Sequence, residues 1–370
     1  MVKKLALCTH TAYNLLDHLG PLAYALNMPL LVTEESNMRL IERYYPMIKA
    51  ILVDVEKLSC EKLVDNYDMI FQSVFYDVNL IQYFAEMKNK KICFTWAPHG
   101  NSDKGYKEPV LERILDQDIV LLYGDHMINR LKKQQLFDKI PPYILTGNYR
   151  LSFFQKFRNF YQKTINNEIF SKLNPQNPTI LYAPTWNDVE NLTSFFNQAK
   201  KVIENLPSHY NLIVKAHPLL AEKDPAKYYA SFPSRENDNV LMLEDFPPIY
   251  PLLANVDIYL GDFSSVGYDF LHFNKPMFFF KSSDSIEEGF LYLHQAGITI
   301  PNNCKDLYGF IDEKVTNWDP ELSKKQRDIY NFAFGEPKDF KQLENEIDEA
   351  FVKQLYNAPT LGITKTDVSS

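Results

Sequence analysis

Cysteine is scarce: the four in 370 residues, Cys8, Cys60, Cys93 and Cys304, are scattered without metal-ligand or paired spacing. That argues against a zinc module or a disulfide framework, and leaves reduced thiols in a cytosolic protein as the expectation. Positive charge is also short, with 39 Lys and Arg against 47 Asp and Glu and a formal net charge of −8. A groove for long nucleic-acid duplexes needs a basic surface, so no nucleic-acid partner is expected. A local basic pocket for one small phosphate stays open. Long apolar runs are missing too. The start, Met1-Val2-Lys3-Lys4 and then apolar residues, briefly imitates a signal peptide, but His10, Asn14, Asp17 and His18 interrupt it. No stretch reaches the roughly 18 apolar residues that span a bilayer. There is no internal repeat, and no carboxylate cluster or His/Cys set that argues for an obligatory metal.

What is present is apolar and aromatic mass: 45% hydrophobic residues, with 26 Phe and 23 Tyr. The length fits two domains of about 150–200 residues, each with its own core. In the first part, Lys4–Thr9, Pro29–Thr33, Ala50–Val55, Asp68–Ser73, Lys91–Trp96, Ile119–Tyr123 and Tyr143–Thr146 read as buried strands. Amphipathic stretches separate them, such as the one carrying Leu111, Ile114 and Leu115. After Gly147 the character changes to an aromatic-rich helical stretch, Leu151 to Phe170, and a polar linker, Ser171 to Pro178. A second set of strands follows at Thr179–Ala183, Leu212–Lys215, Asp257–Leu260 and Met277–Phe280. Near-continuous apolar strands alternating with helices predict an α/β fold with parallel sheets covered on both faces. The expected organisation is an N-terminal domain over 1–150, a connecting helix and linker over 151–178, and a second α/β domain over 179–316. Paired helices over 317–357 and a disordered tail over 358–370 complete it.

Four blocks carry candidate chemistry. In the first, Leu253–Leu260 reads as a strand, Gly261 permits a tight turn, and Ser264 to Phe273 opens a helix. Val266, Phe270 and Phe273 share one face of that helix and would pack it on the sheet. Its first-turn N–H groups, with the hydroxyls of Ser264 and Ser265, suit an anion. Asp262 could cap the helix, but its charge opposes a phosphate unless a cation or hydroxyl intervenes; a plain capped helix is the structural alternative. The second block, Val214-Lys215-Ala216-His217-Pro218, puts His217 at a strand end with extended backbone imposed by the proline. Such an imidazole can donate to a phosphoryl oxygen or shuttle a proton, or simply sit satisfied in a loop. The third, Trp96-Ala97-Pro98-His99-Gly100 with Lys104 beyond, would aim His99 into an interdomain cleft, with Gly100 allowing close approach. A turn histidine is its plain reading. The fourth, Tyr182-Ala183-Pro184-Thr185-Trp186, has no acid or base; it either shapes a donor pocket through Thr185 and Trp186 or merely ends a strand.

In this order the four blocks resemble the CDP-glycerol glycerophosphotransferase family of teichoic-acid primases and polymerases. The resemblance is carried by the His-Gly block with a lysine five residues on, Tyr-Ala-Pro-Thr-Trp, His-Pro, and Asp262-Phe263-Ser264-Ser265-Val266 running to Asp269-Phe270 and Lys275-Pro276. It is strong from about Thr179 to Phe280 and patchy around His99. It implies a GT-B fold, two Rossmann-like domains facing across a cleft, with the CDP-alcohol donor on the C-terminal domain. The family's two essential histidines fall on His99 and His217, and its pyrophosphate contacts on Ser264 and Ser265. Two departures lie on the acceptor side. Asn101-Ser102-Asp103-Lys104 replaces Thr-Pro-Leu-Lys, and Gly147-Asn148-Tyr149-Arg150 lacks the proline of Gly-x-Pro-Arg.

The resemblance therefore implies transfer of an alditol phosphate from a CDP donor to an acceptor hydroxyl, with release of CMP. His99 would be the general base, while His217 and the helix N-terminus would stabilise charge. Gly100, Lys104 and Arg150 would line the acceptor side. The implied acceptor is a polyol phosphate, a glycan or a lipid-linked molecule. No cofactor is required, and a divalent cation on the pyrophosphate stays open. The implied location is cytoplasmic, with peripheral contact to the inner face of the membrane through a local patch such as Lys132-Lys133. Two other readings share the fold: a glycosyltransferase using a nucleotide sugar, and a non-catalytic nucleotide-binding relative.

Overall fold

The computed structural model describes residues 2–9, 13–54, 57–74, 78–104, 112–188, 190–233, 238–281 and 292–357. Val55 at the end of one expected strand, the apolar position Leu111, and the expected tail 358–370 lie outside them.

The first sheet contains β1 (Lys4–Cys8), β2 (Leu30–Val32), β3 (Ala50–Leu52), β4 (Met69–Gln72), β5 (Cys93–Trp96), β6 (Ile119–Leu122) and β7 (Tyr143–Leu145), in the order β3-β2-β1-β4-β5-β6-β7. The second contains β8 (Thr179–Ala183), β9 (Asn211–Val214), β10 (Val240–Met242), β11 (Ile258–Gly261), β12 (Met277–Phe280) and β13 (Ile298–Ile300), in the order β10-β9-β8-β11-β12-β13. Every pairing is parallel. Strands β1, β4, β5, β6, β8, β9, β11 and β12 are buried at every position, as sheets with helices on both faces require. Two such doubly wound sheets facing one cleft form the GT-B arrangement.

In each sheet the strand order reverses once, between β1 and β4 and between β8 and β11. Ligands of open α/β sheets bind beyond the carboxyl ends at such switch points. Register decides which residues emerge together there. Gly261 pairs with Ala183, so the loops carrying Asp262 and Thr185 leave the sheet side by side. In the first sheet Gln72 pairs with Trp96, which brings Ser73 beside the Pro98–Gly100 turn.

Three features differ from the sequence expectation. The edge strands β10 and β13 were not foreseen; each has three residues and neither is buried throughout. The apolar run beginning at Leu253 is helical at first, because Ile249–Asn255 forms a helix and the strand starts only at Ile258. On the helix after Gly261, Phe270 is fully buried and stacks on Tyr259, whereas Val266 faces the cleft.

The terminal helices cross back to the first sheet. Asp319 caps the helix Pro320–Phe334 by accepting from the Glu321 N–H, and Pro320 occupies its first turn. Phe334, with Leu343, Ile347 and Phe351 of the helix Phe340–Asn357, joins the core that also holds Leu22 and Val120. Buried Lys4 reaches Asp348 at 2.6 Å, and Gln354 Nε2 donates to the Asp118 carbonyl at 2.8 Å. No helix among the described residues is long and apolar enough to cross a membrane.

Candidate active site

The two switch points open onto one cavity of about 370 Å³, lined from both domains. His99, Gly100 and Lys104 line it from the first domain, and Thr185, Trp186, His217, Ser264 and Ser265 from the second. Residues separated by up to 166 positions in sequence thus meet because both sheets turn their carboxyl edges inward.

His217 follows β9 and occupies the cap position of the helix Pro218–Lys223. Its Nδ1 accepts the Leu219 N–H at 3.2 Å. Burial lowers its pKa to about 3, helped by the charges of Lys104, Lys215 and Lys223 and by His99. The ring is therefore neutral near neutral pH. With Nδ1 occupied as an acceptor its proton sits on Nε2, so His217 is a hydrogen-bond donor. Lys104 and Lys215 line the cavity with Arg130 and Arg150, and the carboxylates of Asp17, Asp188, Glu190 and Asp269 stand among them.

His99 presents its ring to the open cleft, edge-on to Trp96 at 6.4 Å and to His18 at 6.5 Å between centroids. The protein around the cleft lowers its pKa below the ordinary 6.5, opposed by a hydrogen bond to the Ser73 backbone and reinforced by Lys104. A neutral imidazole at neutral pH can take a proton. Gly100 has φ +131°, and a Cβ there would lie 2.8 Å from Ser265 Cβ and 2.9 Å from Ser265 Oγ. Only glycine lets the two domains meet this closely at the site.

Ser264 holds the cap position of the helix Ser265–Phe270 with extended backbone, and its side chain makes no capping bond. Ser264, Ser265 and Val266 line the cleft at the start of that helix, a position that suits an anion.

Other expected site residues are engaged elsewhere. Asp262 is fully buried and turned away from the cavity: Oδ1 accepts from the Thr185 N–H at 2.8 Å, and Oδ2 from the Ser194 N–H and hydroxyl at 2.7 and 2.8 Å. It fixes the loop after β8 and does not face a phosphate. Lys104 was expected on the acceptor side, yet it reaches the second domain. Its Nζ donates to Thr185 Oγ1 at 2.6 Å, pairs with Asp188 at 3.2 Å, and lies over the Trp186 ring at 5.2 Å. Lys223 covers the same ring at 4.1 Å. Arg150, also expected there, is buried between Asp17 of the first domain and Asp269 of the second. Its Nη1 bonds both Asp269 oxygens at 3.1 and 2.9 Å, while Nε and Nη2 bond Asp17. Burial works against its charge, but the two carboxylates outweigh that and hold its pKa well above the ordinary value. Arg150 ties the domains together while also lining the cavity.

Sequence reasoning missed a second interdomain network. Asp103 Oδ1 accepts from Tyr268 OH at 2.5 Å and lies 3.1 Å from His126 Nε2, and Oδ2 accepts from the Leu293 N–H at 3.0 Å. His126 is wholly buried and its other nitrogen lies 3.4 Å from Asn101 Oδ1, while Asn101 Nδ2 donates to the Ala333 carbonyl. This network anchors the segment after His99 to the helix after Ser264. Asn14, Asp17, His18 and Lys215 also line the cavity. Their only sequence signal was indirect: the first three broke an apolar run, and Lys215 lay within the His217 block. No group of three or more His, Cys, Asp or Glu able to hold a metal exists among the described residues.

Comparison with known proteins brings in names. A family described as CDP-Glycerol:Poly(glycerophosphate) glycerophosphotransferase matches residues 157–290. Over 338 residues the chain is 24% identical to the teichoic acid glycerol-phosphate primase of Bacillus subtilis (strain 168), covering 84% of this chain and 82% of that one. Among solved structures, the wall teichoic acid polymerase TagF superposes with TM-score 0.62 at 15% identity, over 95% of this chain and 90% of that one. S. aureus MnaA in complex with UDP superposes with TM-score 0.56 at 14% identity, over 97% and 99%. At such identities the structural likeness establishes the fold and nothing finer.

Proposed function

We infer that this chain, which belongs to the CDP-glycerol glycerophosphotransferase family, moves glycerol phosphate from a CDP-activated donor to an acceptor hydroxyl in teichoic-acid synthesis and releases CMP. The observation that carries the reading is one cavity in which a neutral, cleft-facing His99 stands opposite His217 and the Ser264–Ser265 helix start, with Lys104 and Lys215 in the same lining.

In the step, the acceptor oxygen attacks the donor phosphorus that bears glycerol. A new P–O bond forms, the bond to the CMP oxygen breaks, and the acceptor proton passes to His99. His217 Nε2–H donates to the phosphate as charge builds on it and on departing CMP, with Ser264 and Ser265 holding the pyrophosphate. Phosphoryl transfer asks a protein mainly for positioning and charge stabilisation, which these groups supply. Trp186, flanked by two lysines, forms the donor-side wall. We take the reaction to need no resident metal, so exhaustive EDTA treatment is expected to leave turnover within about twofold. We also take the enzyme to work at the cytoplasmic membrane face, where exposed Lys132 and Lys133 end the helix Asp125–Lys133. Cosedimentation with anionic vesicles, weaker after both lysines are changed to glutamate, supports that location.

The deciding experiment incubates the purified protein with CDP-glycerol, CDP-ribitol and UDP-sugars in the presence of hydroxylated acceptors. CMP release from a CDP-alcohol, matched by phosphate transfer, is the expected result. UDP release would make it a glycosyltransferase, and donor binding without turnover would make it a non-catalytic relative.

A further inference from the structure

We propose that Asn14 and His18 form a subsite that binds the hydroxyl groups of the acceptor beside His99; the proposal rests on the phosphotransferase reading above. Asn14 lies in the single turn Tyr13–Leu15 and His18 in the helix Leu16–Ala25 that continues it. These elements follow β1, so they stand at the switch point of the first sheet, the counterpart of the β8/β11 edge that carries the donor wall. Both side chains line the cavity with Trp96 and His99.

His18 is 6% exposed and meets His99 edge-on, with centroids 6.5 Å apart. Its Nδ1 is bonded to the Tyr123 hydroxyl at 2.9 Å, and that hydroxyl donates to the Pro98 carbonyl at 3.3 Å. The ring is thereby held from behind and tied to the backbone next to His99, which leaves Nε2 for a ligand. Burial, with the charge of Arg150, keeps His18 neutral. Asn14 lines the cavity as a half-buried amide, with its Oδ1 turned inward and without a hydrogen-bond partner.

A neutral imidazole nitrogen and an amide match a hydroxyl, which both donates and accepts and brings no charge to neutralise. Of the nearby cations, Arg150 is bonded to Asp17 and Asp269, and Lys215 Nζ donates to the Phe246 carbonyl. Trp96 offers an apolar ring for the C–H side of the same molecule. The ligand chemistry is therefore a hydroxylated carbon chain, supplied either by a sugar ring or by a polyol terminus.

The test measures binding by saturation-transfer NMR with CDP at saturation, using chitobiose as the sugar probe and glycerophosphoglycerol as the polyol probe. Wild-type protein is expected to bind one of them, which assigns the source. The Kd of that probe should rise at least about tenfold in Asn14→Leu and in His18→Phe. CDP affinity in both variants should stay within about twofold of wild type, which a merely structural defect would not allow. Failure of wild type to bind either probe, or an unchanged Kd in both variants, would overturn the proposal. Asn14→Leu decides alone if His18→Phe does not fold. The readout needs no turnover, so absence of CMP release would count against phosphotransfer and not against the subsite.

Discussion

The second-domain wall of the cleft draws its working groups from three neighbouring strand ends, after β8, β9 and β11. On the first-domain wall, His99 alone among the four expected residues keeps a side chain free for chemistry. Gly100 packs on Ser265, Lys104 bonds Thr185 and Asp188, and Arg150 is clamped between Asp17 and Asp269. Residues expected to hold the acceptor instead hold the domains together. A short motif announces that a residue matters, but not which side of a cleft its side chain serves.

The largest effect that would test this contrast is on stability. Arg150→Leu leaves two buried carboxylates unpaired, and loss of one partner from a buried ion pair costs about 3–5 kcal/mol. Urea unfolding should register that loss. A variant of native stability that lost only acceptor affinity would return Arg150 to the acceptor side. Next come the histidines: His99→Ala and His217→Ala should each lower kcat by at least about 10²-fold. In the proposed step His217 donates through Nε2–H, so His217→Gln, which keeps an amide donor at similar reach, should retain more activity than His217→Ala. Near-normal turnover in both alanine variants would defeat the assignment. Gly100→Ala forces a Cβ into Ser265, and a displacement of about 1 Å at a reacting centre can cost 10²-fold. Its expected loss lies in kcat, with weaker CDP binding as well, because Ser265 is the residue displaced.

The smallest effects concern pH. A general base works deprotonated, and His99 lies below its ordinary 6.5, so kcat/KM should rise on an acid limb below that value and then level off. Lys104→Met removes one charge that lowers His99, and should move the limb to higher pH. Stability should follow a related course. His217 titrates at about 3 folded against 6.5 unfolded, so the unfolded chain binds more protons between those values. Stability is then lost as pH falls from 6.5 toward 3, and His217→Gln should flatten that slope in a series of Tm measurements.

Much of the fold was legible because buried parallel strands are written as continuous apolar runs. Each of the eleven expected runs overlaps a strand, whereas the edge strands β10 and β13 were not read as runs. The return of the helices 320–334 and 340–357 to the first sheet could not be read locally, since an apolar face does not name its partner. At the site, His99, His217, Ser264 and Ser265 were legible as contiguous blocks at strand ends. Asp262 misled, because a carboxylate at a helix start reads as a cap, while here the loop after β8 takes both its oxygens. Asp103, His126 and Tyr268 lie 23 and 142 positions apart and carry no joint pattern; only the closed cleft unites them.

The most direct test is a crystal structure with CDP-glycerol bound. The account predicts the pyrophosphate against Ser264, Ser265 and His217, with the glycerol-bearing phosphorus directed toward His99 across the cleft. A donor bound against the first-sheet wall, or one with its diphosphate remote from His217, would contradict it.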